Sequence, residues 1–244
     1  MPANSTPPLV SVIVRTVGRD TLARTLDGVI AQSHRPIEIV LVDATGSSVS
    51  TPDFKALPMT VVRRGRLDRP RAANAGLDAA KGDAILFLDE DDEIERDHLA
   101  SLREALGHDG GARVAYSQTR LVDPAGATQR IFGGPFDRAA LFRSNYLAIH
   151  AVLFERSLLA EGCRFDETMA MFEDWDFWLQ LSMRTPFAFT GKPTAIYHAG
   201  GGQSGAGSGA NLDREALLAA RERLMRKWEA ARRALAIASG TGHD

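Results

Sequence analysis

The chain has almost no cysteine: Cys163 is the only one in 244 residues, so no disulfide can form within it. A single thiol fits a reducing compartment, and Glu161-Gly162-Cys163-Arg164 surrounds it with no catalytic pattern, which leaves a packing role. Long apolar runs are also missing. No stretch approaches the roughly 18 residues that a transmembrane helix needs. Met1 to Pro8 is polar and proline-rich and lacks the basic and apolar segments of a signal peptide, so the expected location is the cytoplasm, reaching at most the inner face of the membrane. Neither sign of charge dominates. With 29 Lys and Arg against 31 Asp and Glu, the formal charge is −2, which argues against a general nucleic-acid binder. Internal repeats and a clean interdomain linker are absent too.

What remains is ordinary globular composition, 44% hydrophobic and 25% charged, enough for one large α/β domain or two small ones. Apolar runs at Leu9 to Val14, Ile37 to Val42 and Ala84 to Leu88 read as strands buried on both faces, and Met59 to Val62 as a shorter one. Helical patterns lie between them. One is capped by Asp20 or Thr21 and runs to Gln32; one opens at Pro70 and is closed by Gly82; one spans Arg96 to Leu106. Strand and helix in alternation predict a parallel sheet with right-handed crossovers. The second half differs. Arg113 to Val122 and Thr128 to Phe132 flank the turn Asp123-Pro124-Ala125-Gly126 and predict a hairpin. Tyr146 to Phe154 reads as a strand and Glu173 to Met183 as a helix. Gly200 to Gly209 reads as a mobile loop, and Asn211 caps a long helix to about Ala238.

The strand Ala84 to Leu88 ends in Asp89-Glu90-Asp91-Asp92. In open α/β sheets ligands bind beyond the C-terminal ends of strands. Four adjacent carboxylates repel one another, and a divalent cation such as Mg²⁺ or Mn²⁺ relieves that; the plainer alternative is a solvated acidic turn before a helix. Asp91 and Asp92 are the first choices for metal contact, Asp89 lies nearest the ribose or the metal, and Glu90 is expected to point elsewhere. Asp43 ends another buried strand and belongs on the same rim. It either accepts hydrogen bonds from a nucleotide's base or ribose, or caps its own turn. Arg71, or Arg69 beside it, would bring a guanidinium to the phosphates.

Several motifs, taken in order, resemble inverting family 2 glycosyltransferases with the GT-A fold. Val10-Ser11-Val12-Ile13-Val14-Arg15-Thr16 resembles their opening strand, and Ile39 to Ser47 their second strand and nucleotide loop. Ala73-Asn74-Ala75-Gly76-Leu77 with Ala80-Lys81-Gly82-Asp83 resembles the helix before their acidic element. Phe87 to Asp92 resembles that element, and Phe165-Asp166-Glu167 with Glu173-Asp174-Trp175-Asp176-Phe177-Trp178-Leu179 resembles the segment carrying the general base. The likeness runs from about Leu9 to Tyr197. It departs at Val17-Gly18, where the family has a polar aromatic position, and at Ala73, where the family often has arginine.

The resemblance implies a GT-A-like, Rossmann-related α/β fold with a mixed, mainly parallel sheet flanked by helices. It also implies a metal-dependent transfer from a nucleotide-diphosphate sugar, a uridine donor first, to a hydroxyl of a surface glycan, glycolipid or protein glycan. Asp174 takes the family's base position. Thr16, Asp43, Arg71, Asn74, Asp89 and Glu173 are the expected nucleotide-sugar contacts, and Asp91, Asp92 and His198 the expected metal contacts. Trp175 and Trp178 are either core or a platform for a sugar. The expected organisation is a tail over 1–8, a catalytic domain over 9–210 split near 110 into donor and acceptor halves, and a C-terminal helix and tail over 211–244. That basic, amphipathic helix can dock on the domain, pair with a second copy or touch anionic lipid. Two other readings are kept: a sugar-nucleotide nucleotidyltransferase, for which Val14 to Arg19 is only a faint phosphate loop, and a catalytically silent nucleotide-sugar-binding module.

Overall fold

A computed structural model describes residues 7–50, 56–108, 111–198 and 213–238. The Gly200 to Gly209 loop and Asn211 lie outside the described residues.

The first half is strand and helix in alternation: β1 (Val10–Thr16), α1 (Leu22–Ile30), β2 (Ile37–Asp43), β3 (Met59–Arg63), α2 (Arg69–Ala79) and β4 (Ala84–Asp89). After it come β5 (Glu93–Ile94), α3 (His98–His108), β6 (Val114–Tyr116), β7 (Thr119–Val122), β8 (Thr128–Phe132) and α4 (Arg138–Leu141). A 3₁₀ turn (Ile149–Ala151) leads into β9 (Val152–Glu155), α5 (Ser157–Ala160), α6 (Glu173–Ser182), β10 (Phe187–Phe189), β11 (Ala195–His198), α7 (Arg214–Lys227) and α8 (Glu229–Ala238).

Seven strands form the main sheet in the order β10-β6-β9-β4-β1-β2-β3. All neighbours pair parallel except β9, which runs antiparallel to β4 and β6. Strands β1 and β2 are buried along their whole length, as strands covered on both faces must be. Their side chains nevertheless divide by parity. Val12, Val14, Leu41 and Leu86 pack with Leu22, Leu26 and Val29 of α1 and Leu99 and Leu102 of α3. Ile13, Val40 and Phe87 pack with Ala72 and Ala75 of α2 and Phe177 and Trp178 of α6. The sheet is thus the middle of three layers, the mixed, mainly parallel α/β arrangement that the sequence implied.

Register places the ends of the strands together. Arg15 lies opposite Asp89 across β1 and β4, Thr16 opposite Asp43 across β1 and β2, and Asp43 opposite Arg63 across β2 and β3. This rim holds the site.

The second half was less regular than expected. Arg113 to Val122 does not continue as one strand: β6 belongs to the main sheet, whereas β7 belongs to a second sheet of order β5-β11-β7-β8. The change occurs where Ser117 N donates to Ala151 O and Gln118 N to Lys192 O, so the backbone exchanges one set of partners for another. The hairpin itself is present as β7 and β8. The strand expected from Tyr146 starts only at Val152, because Asn145 Oδ1 accepts from Leu147 N at 3.1 Å and turns the chain first. Thr21 sits at the cap position of α1 without a side-chain cap bond. The single C-terminal helix is two, interrupted at Trp228, and Asp213 is the cap of the first, accepting from Glu215 N and Ala216 N.

That helical pair docks on the domain. Leu224 is fully buried, Trp228 Nε1 donates to Asp176 Oδ1 at 2.8 Å, and Lys227 Nζ reaches Asp166 at 2.8 Å and Asp176 at 2.9 Å.

Gly82 does not cap α2, whose C-cap is Ala80. Its reason is proximity: a Cβ there would lie 2.6 Å from Ser11 N and 2.8 Å from Leu9 O, both backbone. Gly82→Ala should therefore destabilise the fold by about 1–3 kcal/mol, read as a lower urea midpoint at constant slope.

Candidate active site

The acids after β4 are not equivalent. Glu90 turns inward, as expected, and is 2% exposed. Its carboxylate receives the Thr16 hydroxyl, Val17 N at 2.8 Å and Arg19 N at 3.0 Å, and so gathers the turn after β1. Gly18 has φ 85°, a conformation glycine adopts at little cost, and it completes this turn. Thr16, an expected nucleotide contact, is accordingly buried and spends its hydroxyl on Glu90.

Asp89 meets Arg15 in a two-pronged ion pair, Nε to Oδ1 at 2.7 Å and Nη2 to Oδ2 at 2.8 Å. Burial works against ionisation of Asp89, but Arg15 outweighs it and holds this carboxyl below its ordinary range. Asp91 contacts the Arg19 guanidinium. Asp92 lies 3.0 Å from His150 Nδ1, a charge contact without hydrogen-bond alignment. Burial pushes Asp91 and Asp92 upward, with the neighbouring acids adding to it. His198, at the end of β11, has Nε2 3.0 Å from Glu93 Oε1.

One cleft brings these groups together. Arg15, Thr16, Arg19, Arg69, Asp89 and Asp91 line it, together with Asp92 and His198. Carboxylate oxygens in mutual repulsion fit a hard divalent cation. Among the described residues no three acids, histidines or cysteines form a ready-made metal cage. That still suits Mg²⁺ or Mn²⁺, since such ions are commonly held by one or two carboxylates and completed by substrate phosphates.

Not every expected contact faces the cleft. Asp43 is 3% exposed and fully engaged with its own loop, accepting from Thr45 N at 3.1 Å, the Thr45 hydroxyl at 2.6 Å and Val49 N at 2.9 Å. Burial opposes its charge, and those bonds together with Arg63 still hold its carboxyl below the usual range. Asn74 clamps α2 to the chain before α6: it exchanges bonds with both backbone groups of Phe165 and donates to Glu167 at 3.0 Å. Arg71 is exposed and pairs with Asp68 and Glu167. Arg69 is the arginine of α2 that lines the cleft.

Glu173 and Asp174, the pair expected on the acceptor side, open α6. Its N-cap, Phe172, has φ 61°, the only positive φ outside glycine among the described residues. Such strain costs about 1–3 kcal/mol and clusters at functional sites. Glu173 is buried, with Oε1 3.8 Å from Arg69 Nη1. Asp174 is half-buried, accepting from Asn145 Nδ2 at 3.1 Å and Trp175 N at 2.7 Å. Burial first, and then the adjacent Asp174, push Glu173 up to about 7; burial likewise raises Asp174. Arg69 and Arg15 act against both shifts. Trp175 and Trp178 are core, at 3% and 0% exposure, which settles the alternative left open for them.

Arg15 and Arg19 were missed as site residues. The signal was present: Arg15 is the one charge inside an otherwise uncharged strand, and it is 8% exposed. His150 and Asn145 carried no such mark.

Glu90→Gln should leave an amide N–H facing backbone N–H groups. The expected outcome is faster hydrogen exchange at Val17 and Arg19 and a loss of about 1–3 kcal/mol of stability.

The glycosyl transferase family 2 model matches residues 11–149. Succinoglycan biosynthesis protein ExoO of Rhizobium meliloti (strain 1021) is 29% identical over 188 residues, which cover 69% of this chain and 54% of that protein. Amylovoran biosynthesis glycosyltransferase AmsB of Erwinia amylovora is 27% identical over 203 residues, 73% of this chain and 65% of that protein. The chain thus spans between about half and two thirds of the length of these relatives. The crystal structure of S. aureus TarS 1-349 in complex with UDP-GlcNAc shares the fold, with TM-score 0.64 and 19% identity over 79% of this chain and 59% of that one. Since the matched segment is more than half of the chain and runs from β1 to the turn before β9, the protein belongs to glycosyl transferase family 2.

Proposed function

We propose that the protein is a metal-dependent, inverting glycosyltransferase that moves a sugar from a nucleotide-diphosphate sugar to a hydroxyl of a growing surface polysaccharide. The observation that carries this reading is Arg15. One buried guanidinium pairs with Asp89 on the donor side and lies in the field of Glu173 and Asp174 on the acceptor side. A cleft for a diphosphate and a carboxylate for a proton therefore meet across a single side chain. The names of ExoO and AmsB support a polysaccharide product, and the TarS complex supports a uridine donor.

Asp91, Asp89 and Asp92 would hold Mg²⁺ or Mn²⁺, with His198 lining the same cleft. When bound there, the cation would supply Lewis-acid stabilisation to the departing diphosphate. Asp174 accepts the proton of the acceptor hydroxyl as its oxygen bonds to the anomeric carbon. The bond from that carbon to the diphosphate oxygen breaks, and its electron pair leaves with the nucleoside diphosphate, so configuration inverts. Glu173, held by Arg69, shares the pair's charge. Asp43 shapes the loop 45–49 that receives the base, Thr16 secures the turn beneath the phosphates, and Arg69 rather than Arg71 meets them. Asn74 acts through the clamp on Phe165.

No helix among the described residues is long and apolar enough to cross a membrane. We place the reaction on the cytoplasmic side, where nucleotide sugars are available. The anchoring of Lys227 and Trp228 on Asp176 favours docking over lipid contact or pairing as the first role of the C-terminal helices.

Thermal unfolding with Mn²⁺ and UDP, GDP, dTDP or CDP tests the donor site. A ligand at a hundredfold excess over Kd adds about 2.7 kcal/mol, and the expected outcome is a shift with UDP that chelator removes. No shift with any nucleotide would instead favour a silent module.

Asp174→Asn should lower kcat by roughly 10²–10⁴-fold with donor affinity kept. A base must be ionised to act, so raised carboxyls mean that activity falls as pH drops through a value above the ordinary carboxylate range. Arg69→Met removes a charge that holds the pair down. Its acid limb in kcat against pH should move to higher pH; a limb that stays in place would refute the assignment.

A further inference from the structure

Three of the four acids from Asp89 to Asp92 have internal partners. Asp89 has Arg15, 8% exposed; Glu90 is 2% exposed beneath the turn after β1; Asp92 has His150, which is fully buried. Asp91 differs. Its partner Arg19 keeps 25% of its side chain exposed, touches Asp91 through one guanidinium nitrogen, Nη1, and lines the same cleft. The other contact of that guanidinium is a long one, 3.9 Å from Nε to Glu90 Oε1.

The backbone of Arg19 is fixed, because its N–H donates to Glu90 Oε2 at 3.0 Å. The side chain therefore starts from a set point beside the phosphate cleft and has freedom only along its own length. A partly exposed ion pair is worth about 0.2–1 kcal/mol, which a divalent cation on the same carboxylate readily exceeds. A guanidinium set free there matches the paired oxygens of a diphosphate, because the other carboxylates of the stretch are already engaged by Arg15, the turn after β1 and His150.

We infer that Arg19 is a diphosphate-binding side chain that is stored on Asp91 until a divalent cation takes that carboxylate. Charge stays paired throughout: guanidinium on carboxylate before, then cation on carboxylate and guanidinium on phosphate. This rests on the donor-site reading above, and it gives the diphosphate a second arginine beside Arg69, one released only when the cation binds.

Calorimetric titration of Mn²⁺ alone, then of UDP at saturating Mn²⁺, into wild type, Arg19→Gln and Arg19→Lys tests it. Arg19→Gln should bind Mn²⁺ roughly two- to fivefold more tightly than wild type, because the competing ion pair is gone. It should bind UDP roughly tenfold or more weakly, because a charge-assisted hydrogen bond is lost. Arg19→Lys should keep wild-type Mn²⁺ affinity, which shows that the competing charge and not the change of residue sets it. Unchanged or weaker Mn²⁺ binding by Arg19→Gln overturns the storage on Asp91. Unchanged UDP binding overturns the transfer to phosphate. In both cases wild-type binding leaves the donor site standing, whereas a wild type that binds neither Mn²⁺ nor UDP removes the donor site and Arg19's role together.

Discussion

The bidentate pair between Arg15 and Asp89 is the constraint from which the site is built. Two charges lie side by side on the central strands of a sheet whose other positions there are almost wholly apolar. Either one alone would be a buried charge without compensation, which costs several kcal/mol. Together they fix the C-terminal ends of β1 and β4 against each other, and the two turns that follow inherit that register. Glu90 then ties the turn after β1 to the turn after β4. The acidic stretch is therefore as much a structural joint as a ligand surface.

The donor half was legible because its signals are local. Apolar runs ending in Asp43 and Asp89 locate the rim, and Pro70 opens α2 as a first-turn proline does. The acceptor half was less legible because its order comes from distant contacts. The break between β6 and β7 is made by Ala151 and Lys192, and the late start of β9 by Asn145. Sequence also does not say which way a side chain is used. Asp43 and Asn74 sit where the motif puts them, yet their hydrogen bonds hold loops in place. Arg15 and Arg19, which no motif singled out, carry the charge into the cleft.

The same division explains why the titratable groups behave differently. Asp89 has a fixed cation beside it and stays ionised in spite of burial. Glu173 and Asp174 share more distant cations and are pushed the other way by their surroundings. A leaving-group site needs charge held constant, and a proton acceptor needs one that can change. In the proposed reaction, distance to Arg15 and Arg69 would separate the two roles.

Helix α6 carries the proposed base and the tail's anchor within one turn. Asp174 opens toward Asn145, while Asp176 is enclosed and takes both Lys227 and Trp228. The two carboxylates ride on the same rigid rod, whose entry is fixed by the strained Phe172. A load applied to α7 and α8 is consequently borne at the turn that carries the proposed base. The C-terminal helices are thereby coupled through Asp176 to the entry of α6.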